Sequence, residues 1–375
     1  KIVVLSVFSP FRGGIAQFNT AMCKELEEQG NEVVRLNFTT QYPKILFPGK
    51  TQYIENSNQE DDNPARVLSS VNPLTWFSTR TKIKQLNPDL IIVPYWISYL
   101  APALTLSLGS ASKPPFTLGL IHNAIPHEAK FWDPFFIRKF VKKLNATLCL
   151  SQSVAQQLES LPSSLPNLTL THPIYNHFGK KKSESESKIF LESLGLDASK
   201  KTLLFFGLIR EYKGLKVLIQ AFNLLNDEYQ LIIAGECYDE VGEYEQLIDK
   251  SDHSSRIKFV NEFISDDQVP FFFSAADAVV LPYLTATQSG VTAIAMHFGL
   301  PVIASKTGGL HQFVDHNNTG LLVEPIGDPI ALKDAVNAWF SASRKETEVK
   351  ISHWAKQFSW EKFCKDLIEF VERKI

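Results

Sequence analysis

The sequence predicts an α/β protein built from two Rossmann-like domains. Apolar runs of strand character alternate with helical stretches along the chain, the pattern of parallel sheets wrapped by helices. The alternation comes in two sets, and between them Lys180–Lys188 is charged, Ser-rich and without apolar periodicity, which suits a linker or exposed loop. At 375 residues the chain also exceeds one ordinary domain.

Taken in order, Ile2–Val7 is a continuous apolar run of the kind buried on both faces of a sheet. The loop Ser9-Pro10-Phe11-Arg12-Gly13-Gly14 follows, then a helix from about Ile15 to Gln29, stopped by Gly30. Glu32–Phe38 is the second strand. Tyr42–Pro73 is polar and broken by Pro and Gly, and reads as a long surface excursion with a solvated acidic piece, Glu60-Asp61-Asp62. A helix over Pro73–Gln85 precedes a strand at Leu90–Val93. Leu90–Ser112 carries no charge, but Pro94, Pro102 and Gly109 divide it into a strand and a buried helix, not a membrane span. Phe116–Ile121 is the next strand and delivers the loop His122–Glu128. Phe131–Leu144 reads as helix, Thr147–Leu150 as a strand leading to a cap at Ser151, and Leu168–His172 closes this half.

The second half restarts with a strand at Thr202–Phe206, and others follow at Gln230–Ala234 and Lys258–Val260. Ala278–Leu281 is a short apolar run, Thr285–Gly290 a small polar turn, and Val291–Phe298 a helix stopped by Gly299. Strands at Pro301–Ala304 and Leu321–Val323 complete the set. In the last helix Trp360, Phe363, Cys364, Leu367, Ile368 and Val371 keep one apolar stripe, which has to be buried. The expected division is 1–178, 179–355, and a C-terminal helix, 356–375, packing back on the first domain.

Bulk composition excludes some partners. A net charge of −2 with a pI near 6.6 gives no whole-chain attraction to nucleic acid. Cys23, Cys149, Cys237 and Cys364 show no CxxC or metal-binding spacing, so the expectation is a reduced, cytoplasmic protein with no metal. The opening Lys-Ile-Val-Val-Leu-Ser-Val is too short and too β-branched for a signal peptide.

The chemistry is expected at strand ends. Arg210 and Lys213 follow the strand ending at Phe206, a planar fork and a mobile point charge at the edge where open α/β sheets bind ligands. Anion binding is favoured there over a pair of solvated charges. The turn before Val291 feeds a helix N-terminus, which presents free amides and a positive dipole end and suits a phosphate, although an ordinary βαβ turn has the same outline. Gly13-Gly14 permits close approach by a ligand or simply makes a tight turn; it does not fit GxGxxG, which disfavours nicotinamide cofactors. His122 and His127 flank a Pro-containing loop, as polar contacts for a substrate or as structural hydrogen-bonders, with Glu128 a second-choice acid. Phe131–Leu144 mixes aromatics with four cations and one Asp, so it is either a helix lying on an anionic membrane or a core helix with a basic outer face.

Together these pieces resemble the retaining GT-B glycosyltransferases of family 4 over nearly the full length. The resemblance rests on the order and spacing of Arg12-Gly13-Gly14, the His122 loop, Phe206-Gly207 through Lys213-Gly214, Ala234-Gly235-Glu236, Ala276-Asp277-Ala278 through Pro282, Gly299-Leu300-Pro301-Val302, Gly308-Gly309-Leu310 and Phe358-Ser359-Trp360-Glu361. It implies two facing Rossmann-like domains with an interdomain cleft, a nucleotide-sugar donor bound by the second and a glycan or lipid-linked acceptor by the first. It further implies that Arg210 and Lys213 neutralise the donor diphosphate, and that Gln288, Ser289, Gly290 and Val291 hold phosphate or sugar oxygens. The base would lie near Phe263 and Ile264, Gly13 and Gly14 would approach the phosphate and sugar, and His122 would contact the reaction centre. No cofactor is implied. Two departures stand out: the family's usual pair of Glu is replaced by Ala286 and Ile294, and its usual Arg after the Gly is Leu208, with Arg210 two residues on.

The expected function is transfer of a sugar in cell-surface polysaccharide or glycolipid synthesis, at the inner face of the membrane if Phe131–Leu144 docks there. A sugar-nucleotide epimerase and a catalytically silent nucleotide-binding partner subunit are the alternatives.

Overall fold

The structure, a computed structural model, describes residues 1–43, 51–54, 64–109, 115–125, 130–161, 165–175, 177–287, 289–342 and 346–374. The acidic piece at 60–62, the loop residues His127 and Glu128, and Gln288 lie outside the described residues. The chain forms two compact units, Lys1–Thr171 with Trp360–Ile375, and His172–Ser359.

The first unit contains β1 (Ile2–Leu5), α1 (Gly14–Glu28), β2 (Val33–Thr40), β3 (Ala65–Ser69), α2 (Pro73–Leu86) and β4 (Leu90–Tyr95). It continues with α3 (Ala101–Leu108), β5 (Phe116–Ile121), α4 (Asp133–Val141), β6 (Ala146–Cys149), α5 (Gln152–Glu159) and β7 (Asn167–Thr169). The strands form a parallel sheet in the order β3-β2-β1-β4-β5-β6-β7. Because side chains alternate along a strand, the sheet has two apolar faces. Val3, Leu5, Ile91 and Val93 face one side and pack on Ile83 of α2, Leu104 of α3 and Ile137 of α4. Ile2, Val4, Leu90 and Ile92 face the other and pack on Phe18, Met22 and Leu26 of α1 and on the C-terminal helix, Trp360–Glu372. The apolar stripe of that last helix is therefore buried on the first unit's sheet.

The second unit contains α6 (Glu184–Ser193), β8 (Lys201–Phe206), α7 (Leu215–Phe222), β9 (Tyr229–Ala234), α8 (Val241–Asp249), β10 (Ile257–Val260) and α9 (Val269–Ser274). Then come β11 (Ala278–Leu281), α10 (Gly290–His297), β12 (Val302–Ser305), β13 (Gly320–Val323), α11 (Pro329–Ser341) and α12 (Thr347–Ala355). Its parallel sheet runs β10-β9-β8-β11-β12-β13. In each sheet the order reverses beside the first strand, between β1 and β4 and between β8 and β11. A crevice opens at such a point, beyond the carboxyl ends of the strands.

Three expectations change. The excursion over 42–73 holds a strand, β3, which pairs with β2 at the sheet edge, and Arg66 ties it down by donating to the carbonyls of Phe38 and Thr39. An edge strand of only five residues is too short to leave a clear periodic signal. Lys180–Lys188 is not a bare linker: Ser183 and Glu186 form a capping box that starts α6 at Glu184, and the Lys182 amide donates to Ser274 Oγ. Finally, the units divide at 171/172 and 359/360, where the sequence reading divided at 178/179 and 355/356. Tyr175 and Phe178 belong to the second unit's core, and Phe358 packs with Ile351 and Phe313, so both boundaries move outward from it.

The uncharged stretch beginning at Leu90 is a strand, a short 3-10 turn at Ser98–Leu100 and the eight-residue α3. Among the described residues no helix is long and apolar enough to cross a membrane. All four thiols are free, three buried and Cys237 half-buried.

Candidate functional site

In the second unit the predicted anion-binding groups come together at the sheet's switch point. Arg210 and Lys213 lie on the loop and 3-10 turn after β8, and Ser289, Gly290 and Val291 open α10 after β11, the adjacent strand. Gly207 marks the meeting place. Its backbone has φ +96°, and a β-carbon built there would lie 3.3 Å from Lys213 Nζ and 3.4 Å from Val291 Cγ2. The absence of a side chain keeps space between the ammonium group and the start of α10.

The electrostatics of this corner favour an anion. Lys213 is buried, and its amine is pushed down to about 8, first by desolvation and then by the neighbouring Arg210 guanidinium. Among the described residues no carboxylate forms an ion pair with it; its recorded partner is the face of Tyr283, 5.6 Å away. Arg210 is held on the Tyr238 ring at 5.1 Å, with Asp239 at 3.9 Å from Nη1. A buried ammonium group beside a guanidinium is destabilised unless negative charge joins it. At α10, Ser289 provides no side-chain cap, so its hydroxyl does not occupy the first amides. That hydroxyl sits 3.3 Å from the Tyr283 Oη. Tyr283 thus bridges the two halves of the cradle, touching Lys213 with its ring and Ser289 with its hydroxyl.

The cradle is supported from behind. Gly290 packs against the buried Tyr175, whose hydroxyl is 3.2 Å from His172 Nε2, and burial pushes His172 down to about 4 so that the ring is neutral. Gly214, which ends the Lys213 turn, has φ +68°, and a β-carbon there would fall 2.0 Å from the Pro282 carbonyl oxygen. Gly214→Ala is expected to cost about 2–3 kcal/mol of stability, combining the left-handed backbone with the displaced Pro282. A urea midpoint within experimental error of wild type would mean that this contact relaxes freely.

Ile264 is in the core and Phe263 is half-buried, both just after β10 at the edge of the same sheet. Ala286 and Ile294, where the resemblance leads one to look for carboxylates, are buried apolar core residues. Sequence reading missed Tyr283, Tyr238, Asp239 and Tyr175. An aromatic next to a short strand looks like ordinary core until its neighbours across the fold are known.

In the first unit, Gly13 caps α1 with φ +112° and Gly14 is its first residue, after β1. The preceding loop is pinned by Asn37, which donates to the Ser9 carbonyl at 2.8 Å and accepts from the Phe8 amide at 3.1 Å. His122 follows β5, and its amide donates to the Tyr95 carbonyl at 2.8 Å. Its ring is buried and meets Phe18 of α1 edge-on at 5.0 Å. Phe18 in turn touches Trp360 and Phe363. Gly13, Gly14 and His122 thus share one sheet edge, and the C-terminal helix braces the aromatic group behind the histidine.

Comparison with known proteins follows the same division. Residues 12–173 match the family described as Glycosyltransferase Family 4, and residues 186–358 match Glycosyl transferases group 1. A D-inositol 3-phosphate glycosyltransferase of Corynebacterium urealyticum is 28% identical over 190 residues, 47% of this chain and 44% of that protein. The lipopolysaccharide core biosynthesis mannosyltransferase LpsB of Rhizobium meliloti is 27% identical over 218 residues, 56% of this chain and 58% of its own. The chain spans about half the length of the curated relatives it matches. Among solved structures, HepE of Anabaena in complex with UDP superposes with a TM-score of 0.75 at 19% identity, covering 100% of both chains.

Proposed function

We propose that this chain, which belongs to the GT-B glycosyltransferases of group 1, moves a sugar from a nucleotide-sugar to a glycan or lipid-linked acceptor. The proposed setting is polysaccharide or lipopolysaccharide-type synthesis at the inner face of the cell membrane, the kind of pathway named for the relative LpsB. The observation that carries the reading is the convergence of Lys213, Val291 and the side-chain-free Gly207 at the second sheet's switch point.

The diphosphate of the donor supplies the negative charge that Lys213 lacks, beside the Asp239-paired Arg210, and its oxygens accept hydrogen bonds from the first amides of α10. As the bond between sugar and phosphate breaks, negative charge grows on the leaving diphosphate. Groups already aimed there stabilise the transition state more than the bound donor, which is what lowers the barrier. With no carboxylate at positions 286 and 294, we assign the ribose and sugar hydroxyls to backbone groups near Phe263–Ile264 and the loop before α10. The acceptor attacks on the face the diphosphate leaves, so the anomeric configuration is retained without a protein nucleophile; NMR of the product, showing the donor's anomer or its inverse, tests that step. His122 and the Gly13-Gly14 loop serve the first unit's part of the reaction, at the transferred sugar.

A uridine nucleotide is the first donor class to test, because HepE is described with UDP. A thermal-shift screen of UDP, GDP and ADP with their sugars is expected to single out one base. A ligand at a hundred times its Kd contributes about 2.7 kcal/mol, or roughly 5–10 °C for a unit of this size. No shift with any nucleotide would overturn the assignment of the cradle.

A further inference from the structure

The second unit begins at His172, and its first residues lie behind the donor cradle. Their backbone is pinned, since the Ile174 amide donates to the Phe358 carbonyl at 2.9 Å. Tyr175 is buried among other rings, edge-on to His172 at 5.0 Å, to His177 at 5.3 Å and to Phe178 at 5.7 Å. Its Cε2–Oη edge faces the start of α10. A β-carbon built on Gly290 would lie 3.1 Å from Tyr175 Cε2 and 3.4 Å from its Oη. In an interior packed this closely the ring cannot advance or retreat without Gly290 following or losing its support.

The hydrogen bonds behind the ring have a fixed direction. His172 Nδ1 is 2.6 Å from the Pro173 carbonyl oxygen, and a carbonyl only accepts, so Nδ1 carries the proton. Burial pushes His172 down to about 4, so the ring is neutral and has a single N–H. Nε2 is then an acceptor, and the Tyr175 hydroxyl, 3.2 Å away, donates to it. A one-way chain from Tyr175 through His172 to Pro173 thus sets the tautomer of the imidazole and the place of the phenol together. Phenylalanine would fill the same volume, but nothing would hold its tip. A satisfied buried chain of this kind rigidifies what it touches.

What the ring touches is the part of α10 that meets the anion. The Thr292 amide donates to the Ser289 carbonyl at 3.3 Å, so the amides of Gly290 and Val291 precede the first donor of the helix. Hydrogen bonds weaken steeply as they are misaligned, so these amides serve a phosphate only if Gly290 is held in place. We propose that Tyr175, held by His172, is a positioning residue for the cradle: it fixes Gly290 from behind and so aims the first amides of α10 at the diphosphate. The role rests on the anion-binding reading above, but on no particular base, sugar or acceptor.

Inorganic pyrophosphate probes the cradle without a base or a sugar, and isothermal titration of the full chain with it is the test. Tyr175→Phe and His172→Leu are each expected to weaken binding about fivefold, the usual weight of one hydrogen bond. The double variant is expected to bind no more weakly than either single one, because both break the same link. His172→Gln, whose amide both donates and accepts, is expected to bind as wild type does. Tyr175→Leu removes the ring and is expected to lose about tenfold to a hundredfold; should it not fold, Tyr175→Phe keeps the ring and carries the test. Thermal melts run in parallel separate aim from stability. Variants that melt lower but bind pyrophosphate normally overturn the proposal and leave Tyr175 as packing alone. So do losses that multiply in the double variant, or a wild-type chain that does not bind pyrophosphate. The expected losses in a chain that moves no sugar from any nucleotide-sugar would uphold the positioning role and reject only the transferase reading.

Discussion

Lys213→Ala is expected to lower kcat about a hundred- to a thousandfold with the preferred nucleotide-sugar, the usual cost of removing one group aimed at developing negative charge. The site's geometry explains why no neighbour substitutes for it. Lys213 is buried at Gly207, between the strand end and the start of α10, whereas Arg210 is already engaged by Tyr238 and Asp239. Lys213→Met, which keeps the volume of the stem, should lose activity equally; a Met variant with near-normal turnover would mean that the side chain only packs. The pH arm is independent. The free enzyme's Lys213 amine titrates at about 8, well below its ordinary value. Below that pH it is charged and ready for the diphosphate; as pH rises through 8 it becomes neutral, and binding must then take up a proton. Affinity for the nucleoside diphosphate is therefore expected to fall up to about tenfold per pH unit above 8, a dependence that Lys213→Ala lacks. The sign for stability is opposite. The folded amine binds protons less well than the unfolded one, so the unliganded protein gains stability as pH rises from about 8 towards the ordinary lysine range. Isothermal titration at several pH values and denaturant melts without ligand separate the two effects.

The second large effect is expected at His122. His122→Gln should reduce kcat roughly a hundredfold while leaving the nucleotide-induced thermal shift unchanged, because the proposed donor cradle draws on residues of the other unit. A kcat loss without a loss of nucleotide binding separates a role at the reacting sugar from a role in donor capture. Since the ring is buried on Phe18, a fold defect has to be excluded. Phe18→Leu serves that purpose: it loosens the same aromatic group, with Trp360 and Phe363, and is expected to lower stability by about 1–2 kcal/mol with a much smaller effect on turnover. Equal turnover losses in the two variants would reduce His122 to a packing residue.

Several features were readable from residues alone because they are local. Ile2–Leu5 and Leu203–Phe206 sit inside parallel sheets covered on both faces, and such strands have to be continuously apolar. Pro73 after Asn72, and Gly30 after Gln29, punctuate helices through constraints on one or two residues. Ser183 and Glu186 carried an equally local signal, a capping box, yet the surrounding lysines and serines made the stretch resemble a linker. β3 was lost for the opposite reason: its stability comes from pairing with β2, a contact 28 residues away in the case of Arg66 and Phe38.

The candidate site divides along the same line. Arg210, Lys213 and the turn into α10 stand out as candidates in the sequence because anion binding needs recognisable groups just beyond a strand, whatever the rest of the chain does. Tyr283, Tyr238 and Tyr175 do not, because an aromatic ring acquires a role only from what lies across from it. The residue order by itself determined two α/β repeats, their strand ends and the charged groups that follow them, since periodicity, caps and turns act over a few residues. Only the folded chain decided that β8 and β11 lie side by side, so that a lysine and a residue of the next helix start, Lys213 and Val291, 78 residues apart, border one glycine. Strand adjacency is settled by burial and hydrogen bonding summed over the whole sheet, and no short stretch of sequence contains that sum.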